Sequence, residues 1–306
     1  MSLPSRIKEA VIRAGACAVG FAPLREVDPE VFAAYRRWLA GGNHASMGYL
    51  ENHLEIRRNP ALLLEGNPAE GTVICAAFPY VSAPDYRPGA VRIARYALGD
   101  DYHEVLRERL RPVADLIRGE TGCQARICVD TAPLLERYWA RESGIGFIGR
   151  NRHLIVPGAG SYVFLAEIVT DLPLPPDAPC LLGCDGCDAC MRVCPHGALQ
   201  PGCLDARRCL SCLTIEYRGP LPPEYPLAPG RVYGCDLCQE VCPHNRASSL
   251  TSFSPLPEFL PRPSLLELTP RAILSLSQED FSALFRRSAV KRTRLAGLLR
   301  NAAALK

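Results

Sequence analysis

The chain lacks any long apolar segment: its 306 residues contain no continuous apolar run of the roughly 20 residues that span a bilayer. The N-terminus is a charged amphipathic stretch where a secretory leader would be apolar. No P-loop is present, and the glycine-rich GIGFIG (144–149) follows a predicted helix, whereas a dinucleotide-binding turn follows a strand. The net charge of +3 is too small to favour any class of partner. These absences predict a cytoplasmic protein without a membrane span or a common dinucleotide site.

Cysteine, by contrast, is abundant, with 15 in the chain. A secreted disulfide scaffold would be shorter and would carry a signal, and an odd count disfavours complete pairing, so metal ligation is the better interpretation. One complete C-x2-C-x2-C-x3-C-P run, typical of bacterial ferredoxins, is followed by an incomplete C-x2-C-x3-C-P run. The two runs comprise Cys184, Cys187, Cys190 and Cys194, and then Cys235, Cys238 and Cys242.

In ferredoxins of this type the last cysteine of a run binds the cluster of the other run. The first cluster is therefore expected to take Cys242 and the second Cys194, which leaves the second cluster one ligand short. The candidates that spacing leaves open are Cys203, Cys209, Cys212 and, as a poorer choice, Cys180. Structural zinc is the competing interpretation, but zinc prefers two separated pairs of thiolates. The remaining cysteines, including Cys17, Cys75, Cys123 and Cys128, lie in apolar runs and are expected in the core.

Helix and strand patterns alternate before the cysteine runs. Helical periodicity covers 3–14, 30–40 and 101–118, and a further helix is expected over 131–144. Short apolar runs with β-branched residues predict strands at 71–81, 125–130 and 161–171. This alternation predicts an α/β domain that ends near residue 172, where a proline-rich stretch (172–179) begins.

Asp130 is the titratable group that stands out in this first domain, because it ends the apolar segment ICVD. A carboxyl partly withdrawn from water there would have a raised pKa and could donate a proton near neutral pH. An equally weighted alternative is that Asp130 caps a helix beginning at Thr131.

The C-terminal segment has no acidic residue after Asp280. A basic helix is often only a solvated face, but such a run of cations also attracts a phosphate backbone. The cations are Arg286, Arg287, Lys291, Arg292, Arg294, Arg300 and Lys306.

Several separated motifs resemble the epoxyqueuosine reductase family and occur in its order. They are HASMGYLENHLEIRRNP (44–60), ARYALGDDYH (94–103), VDTAPLLERYWARESGIGFIGRN (129–151) and the two cysteine runs with RRCLSCLT (207–214). The resemblance covers essentially residues 1–305. It implies a cobalamin-dependent oxidoreductase that reduces epoxyqueuosine to queuosine at the wobble position of tRNA, the last step of queuosine biosynthesis.

The resemblance also implies the architecture. A nitroreductase-like cobalamin-binding catalytic domain, of mixed α/β (α+β) class, is expected over residues 1–172. A bacterial-ferredoxin-type module with two [4Fe-4S] clusters should follow over 173–250, and a basic helical tail over 251–306. Longer relatives continue into a HEAT-like repeat that helps to grip the RNA, so the tail is expected to carry more of that contact here.

Residue roles follow from the same resemblance. It selects Cys209 as the eighth cluster ligand, leaves Cys212 as a bystander and matches Asp130 to the proton donor of the family. Tyr102 and His103 match residues that line the substrate side. The residues implied to surround the corrinoid are Arg57, Arg95, Tyr102, His103, Asp130, Asn151, His153 and Ser161. The family and this chain lack the D-x-H-x-x-G cobalamin motif, so no histidine ligand to cobalt is implied.

The implied partners are the anticodon stem-loop of a queuosine-family tRNA and an external low-potential electron donor, and a monomer is expected. Electrons would pass from the clusters to cobalamin while Asp130 protonates the opening epoxide, and a second protonation would assist the loss of water. One alternative is a corrinoid-dependent reductive dehalogenase-like enzyme, which the absence of a twin-arginine signal and the basic tail disfavour. Another is a ferredoxin-like electron carrier, which would bind no corrinoid.

Overall fold

The computed structural model describes residues 1–80, 83–246 and 253–305. Its strands are β1 (Ala18–Pro23), β2 (Thr72–Pro79), β3 (Arg92–Ile93), β4 (Ala125–Cys128), β5 (Phe147–Ile148), β6 (Leu154–Ile155), β7 (Val163–Thr170), β8 (Leu199–Gln200), β9 (Cys203–Leu204) and β10 (Arg231–Tyr233).

The α-helices of the described residues are α1 (Leu3–Arg13), α2 (Pro29–Ala40), α3 (Leu54–Arg58), α4 (Tyr102–Thr121), α5 (Glu136–Glu142), α6 (Ala189–Val193), α7 (Leu210–Ile215), α8 (Leu237–Glu240), α9 (Pro263–Leu266), α10 (Pro270–Leu274), α11 (Gln278–Leu284) and α12 (Arg294–Ala303). Short 3-10 helices cover Gly48–Glu51, Pro60–Leu63, Arg95–Ala97, Pro243–Asn245, Pro257–Phe259 and Ala289–Thr293. In the part of the chain that the structure describes, no helix combines the length and the apolar character that crossing a bilayer requires.

An antiparallel sheet in the order β1-β2-β7-β4 organises the first part of the chain. One face packs against α1 and α4, and the other packs against α5 and the 3-10 helix Pro60–Leu63. Every residue of β2 is buried, which explains why its sequence is continuously apolar rather than alternating. The cysteines expected in the core are there: Cys75 and Cys128 are buried, and Cys17 and Cys123 pack against it partly buried.

Most element predictions agree with the structure, although residue 81 of the strand predicted over 71–81 lies outside the described residues. The helix expected over 131–144 is wrong in its first half, because α5 begins only at Glu136. Pro133 disfavours a helical conformation at the residue before it, and residues 129–135 form turns instead. The strand expected over 125–130 ends at Cys128, so Asp130 stands beyond the sheet.

The cysteine-rich segment is built around the packed helices α6 and α8 and the hairpin of β8 and β9. Strand β10 pairs in parallel with β3, which ties this segment to the first part of the chain. A shared core extends the connection, since Ile93, Tyr233 and Phe285 belong to one buried cluster. The division at residues 172 and 250 stays a prediction.

Part of the C-terminal basic segment binds the protein itself. Arg287 pairs with Glu104, Arg292 pairs with Glu216, and Arg300 donates to three backbone carbonyls. Arg286, Lys291 and Arg294 are exposed. Lys306 lies outside the described residues. The cations of this segment therefore divide into a structural set and a solvent-facing set.

Candidate active site and cluster module

Asp130 occupies a strained turn just beyond β4. Its φ of +52° lies in the left-handed region, which costs a non-glycine residue about 1 kcal/mol or more. A hydrogen bond of 2.6 Å from the Asp130 backbone N–H to Oε1 of Glu136 closes the turn. The Asp130 side chain is 55% exposed, and α5 has no side-chain cap, so Asp130 is not a helix cap. The turn therefore exposes the Asp130 carboxyl to solvent.

His103 connects this carboxyl to a second one. Its Nδ1 lies 2.6 Å from Oδ1 of Asp101, and its Nε2 lies 3.0 Å from Oδ2 of Asp130. The segment DDYH folds this way because Asp101 is the N-cap of α4 and accepts the backbone N–H of His103. The imidazole is thereby held in one orientation between two carboxylates.

The expectation that Asp130 has a raised pKa is wrong for this structure. Partial withdrawal from water would raise the pKa of this half-exposed carboxyl, but hydrogen bonds from His103 and Tyr102 outweigh that effect and lower it. Burial likewise opposes the charged form of His103, but the bonds to Asp101 and Asp130 raise its pKa to about 9. At neutral pH the proton therefore belongs to His103, and Asp130 is its hydrogen-bonded acceptor.

Two further carboxyls lie near Asp130. Burial, followed by the charge of Asp130, raises the pKa of Glu136 to about 8. Glu167 is fully buried in β7, and neither of its oxygens has a hydrogen-bond partner among the described residues. Burial and the neighbouring Glu136 raise the pKa of Glu167 well above its usual range. Glu136, Glu167 and Asp101 were not predicted from the sequence, although a single glutamate inside the apolar segment SYVFLAEIV is an unusual feature.

The other predicted pocket residues lie in two places: Tyr102 and Arg57 belong to the first part of the chain, and four others lie beside the cysteine-rich segment. Tyr102 lies at the acid site, where its ring stacks on His103 and on Phe164. Arg57 is buried and donates to the backbone carbonyls of Asn52 and Tyr49, so it holds a loop.

Arg95, Asn151, His153 and Ser161 belong to the second group, beside the cysteine-rich segment. The Arg95 guanidinium lies over the ring of Tyr162, and its backbone N–H donates to Asp236. Ser161 Oγ donates to Gln239 Oε1 at 2.9 Å.

Asn151 follows β5 in the turn that leads to β6. Its Oδ1 accepts the backbone N–H of His153, but its Nδ2 is buried without a partner among the described residues. Burial lowers the pKa of His153 to about 3, so that imidazole is neutral at physiological pH. Asn151 therefore keeps a donor free for another group.

The cysteines of the two runs and Cys209 lie close together, and we divide them into a first set (Cys184, Cys187, Cys190, Cys242) and a second set (Cys194, Cys209, Cys235, Cys238). In the first set, burial raises the pKa of the Cys242 thiol, and the neighbouring Cys184 and Cys187 raise it further. Cys190 is influenced by Cys184 and Cys242 in the same way. The last cysteine of the second run thus lies among the cysteines of the first run.

The second set contains the last cysteine of the first run. Burial raises the pKa of Cys238, with additions from Cys235 and Cys209, and Cys209 is in turn influenced by Cys194. Within the described ranges, no three Cys, His, Asp or Glu side chains converge tightly enough to hold a single metal ion. The thiolates around a cubane cluster bind different irons and so stand farther apart.

Comparison with known proteins adds independent evidence. A family model described as "Epoxyqueuosine reductase QueG, DUF1730" matches residues 57–131, and a "4Fe-4S double cluster binding domain" matches residues 183–245. The epoxyqueuosine reductase of Cellulophaga algicola is 36% identical over 301 residues, which cover 96% of this chain and 95% of that relative. The chain belongs to the epoxyqueuosine reductase family. The Escherichia coli member is 38% identical over 315 residues, or 98% of this chain and 80% of that relative.

Solved structures of epoxyqueuosine reductases have the same fold. One, in complex with an epoxyqueuosine-modified tRNA-Tyr stem loop, matches with a TM-score of 0.88 and 32% identity over 99% of this chain and 80% of its own. The enzyme from Streptococcus thermophilus matches with a TM-score of 0.88 and 30% identity over 100% and 81% of the two chains. The family membership, the mixed α/β fold, the double-cluster domain and the helical C-terminal region are thereby confirmed.

Proposed function

We propose that this chain reduces epoxyqueuosine to queuosine at the wobble position of tRNA, in the cytoplasm and as a monomer. The observation that carries the proposal is the Asp101–His103–Asp130 arrangement in a family member whose two cysteine sets are intact. An external low-potential electron donor would reduce the clusters again after each turnover. The working units would be a catalytic domain (1–172), a cluster module (173–250) and a basic tail (251–306).

The cysteine sets support two crossed [4Fe-4S] sites. The first cluster would bind Cys184, Cys187, Cys190 and Cys242, and the second Cys194, Cys209, Cys235 and Cys238. Packing of α6 against α8 brings the two runs together, which is what an exchange of their last cysteines requires. Backbone N–H groups of Arg150 and Ala198 donate to Cys184 and Cys194 at 3.3 Å. Such donors stabilise thiolate ligands and tune cluster potential.

The residues beside the cysteine sets fit a large polar cofactor such as cobalamin. The buried Nδ2 of Asn151 and the buried hydroxyl of Tyr162 lack partners among the described residues, and a cofactor amide or phosphate would satisfy them. The contacts would come from Arg57, Arg95, Tyr102, His103, Asp130, Asn151, His153 and Ser161. Bound cobalamin would supply a strongly reducing, nucleophilic cobalt centre.

Proton delivery follows from the residues themselves. His103 carries the proton at neutral pH, and its Nε2 lies 3.0 Å from Oδ2 of Asp130, so a proton can pass to Asp130 and on to the epoxide oxygen. Asp101 stabilises the His103 imidazolium until its proton is transferred to Asp130. The exposed position of Asp130 allows a nucleoside to approach, and the exposed Arg286, Lys291 and Arg294 would bind phosphates of the stem-loop.

Anaerobic assay of the cluster-loaded protein with cobalamin, a reductant and epoxyqueuosine-containing tRNA tests the proposal. Mass spectrometry of tRNA nucleosides should detect queuosine, and a lack of conversion with both cofactors bound would reject the function. Asp130→Asn should keep clusters and corrinoid while turnover falls by about 10²-fold or more, the usual contribution of a general acid. Asp115→Asn, on the exposed face of α4, is the control. Full activity of Asp130→Asn would remove that residue from the acid role.

A further inference from the structure

We propose that the half-buried Glu136 and the fully buried Glu167 form an acid pair that stores the second proton of the reaction and delivers it through Asp130. The inference rests on the proposed function and deepens it. It concerns Glu136, which accepts the Asp130 backbone N–H, and its buried neighbour Glu167; among the described residues neither carboxyl forms an ion pair with a cation.

The pair is built into the fold at defined positions. Glu136 begins α5 and accepts the Asp130 backbone N–H at 2.6 Å, so its carboxyl lies against the backbone of the acid residue. Glu167 lies in the middle of β7, between its cross-strand neighbours Cys75 on β2 and Cys128 on β4. It is fully buried, and neither of its oxygens has a hydrogen-bond partner within the described residues.

Such an environment retains a proton. A buried carboxylate without donors is costly, and two adjacent carboxylates cannot both ionise cheaply. The titratable groups that face the pair are Asp130, Tyr102, His103, Arg137, Cys75 and Cys128. The cations among them, Arg137 and His103, lower the pKa of Glu136 less than burial and Asp130 raise it. The pair therefore holds at least one proton at neutral pH.

The proton count of the reaction gives this store a use. Both carbon–oxygen bonds of the epoxide break, a carbon–carbon double bond forms, and the oxygen leaves as water. The balance requires two electrons, supplied through the clusters by the low-potential donor, and two protons. His103 supplies one proton through Asp130, and the Glu136–Glu167 pair supplies the other after Asp130 has been used. Both stores reload from water once the tRNA leaves the exposed side of Asp130.

Infrared spectroscopy tests the store without any turnover. In pH-difference spectra of the cluster-loaded protein without tRNA, a carboxylic acid band should be present at neutral pH and disappear around the pKa of Glu136, about 8. Glu136→Gln and Glu167→Gln should each remove or shift that band, and the exposed Glu55→Gln should leave it unchanged. A band that is absent from the parent protein, or that survives unchanged in both variants, overturns the proposal.

Single-turnover assays test the use of the proton. General acids contribute about 10²-fold or more, so loss of the reserve in Glu167→Gln should slow conversion at least about tenfold. The rate of the parent protein should decline near pH 8, where the pair loses its proton, and this decline should be absent from Glu167→Gln. Loss of packing alone would not produce that change. Because Gln can still accept the Asp130 N–H, Glu136→Gln separates proton storage from support of the turn. Parental rates and pH dependence in both variants would reject the store, whereas an inactive parent protein would reject only the proposed function.

Discussion

The cluster module and the Asp130 site are assembled in different ways. Seven of the eight proposed cluster ligands lie in two short runs, where two or three residues separate neighbouring cysteines. The acid site instead draws Asp101 and His103 from the start of α4, Asp130 from a turn, Glu136 from α5 and Glu167 from β7. A cluster can therefore be recognised from local spacing, whereas a proton path depends on contacts between distant segments.

The largest effect should come from breaking the crossover of the module. Cys242→Ala removes the last cysteine of the second run, yet the cluster lost should be that of the first run, because Cys242 lies with Cys184 and Cys187. Iron content should fall by half and turnover should be abolished, as measured by iron and sulfide analysis and by paramagnetic resonance of the reduced protein. Cys212→Ser should retain both clusters. Loss of the second cluster instead would mean that the runs are not crossed.

The next largest effect should come from His103→Gln, which tests whether the acid site is set by through-space contacts. Turnover should fall by about 10²-fold, the scale of general acid–base catalysis, with cluster content unchanged. Nucleoside analysis measures the turnover, and His53→Asn, at an exposed position, is the control. Parental turnover would show that the proton does not come from His103.

The same variant, His103→Gln, should also change how the stability of the protein depends on pH. The folded pKa of His103, about 9, exceeds its ordinary value of 6.5, so its contribution is complete below about pH 6.5 and is lost as pH rises through about 9. The drop in Tm between those two pH values should be smaller in His103→Gln than in the parent protein. Equal drops in scanning calorimetry would show that His103 has no raised pKa.

A smaller effect is expected at the junction between the two regions. Asn151→Ala removes the buried Nδ2 donor and should weaken corrinoid binding by about fivefold, since one hydrogen bond contributes roughly 1 kcal/mol. Visible titration of the cluster-loaded protein measures this affinity, with the exposed Asn52→Ala as control. Unchanged affinity would place the corrinoid away from the β5–β6 turn.

The smallest effect should come from the solvent-facing cations. Replacing Arg286 and Lys291 together by Ala should make the slope of log K for stem-loop binding against log salt concentration shallower by about one to two. Each phosphate contact contributes about one to that slope. Turnover at saturating tRNA should not change. Binding measured at several salt concentrations, with Arg111→Ala on α4 as control, distinguishes a phosphate contact from a solvated face.

Much of the fold could be predicted because its elements are locally encoded. The apolar run at 71–81 became β2, and the periodicity over 101–118 became α4. The helix over 131–144 failed because Pro133 and the hydrogen bond from Asp130 to Glu136 stabilise a turn that periodicity does not detect. The raised pKa expected for Asp130 failed because His103, 27 residues away along the chain, donates to its carboxyl.

By itself the sequence determined the chemistry that depends on spacing: the two cysteine runs, their closing prolines and the family motifs around Asp130. Only the tertiary structure decided where protons reside, since a pKa depends on burial and on charges that approach through space. The tertiary structure also brought Cys209 near Cys194 and Glu167 near Glu136. Neighbours along the chain set which groups are available, and packing of the antiparallel sheet against α4 and α5 decides which of them interact.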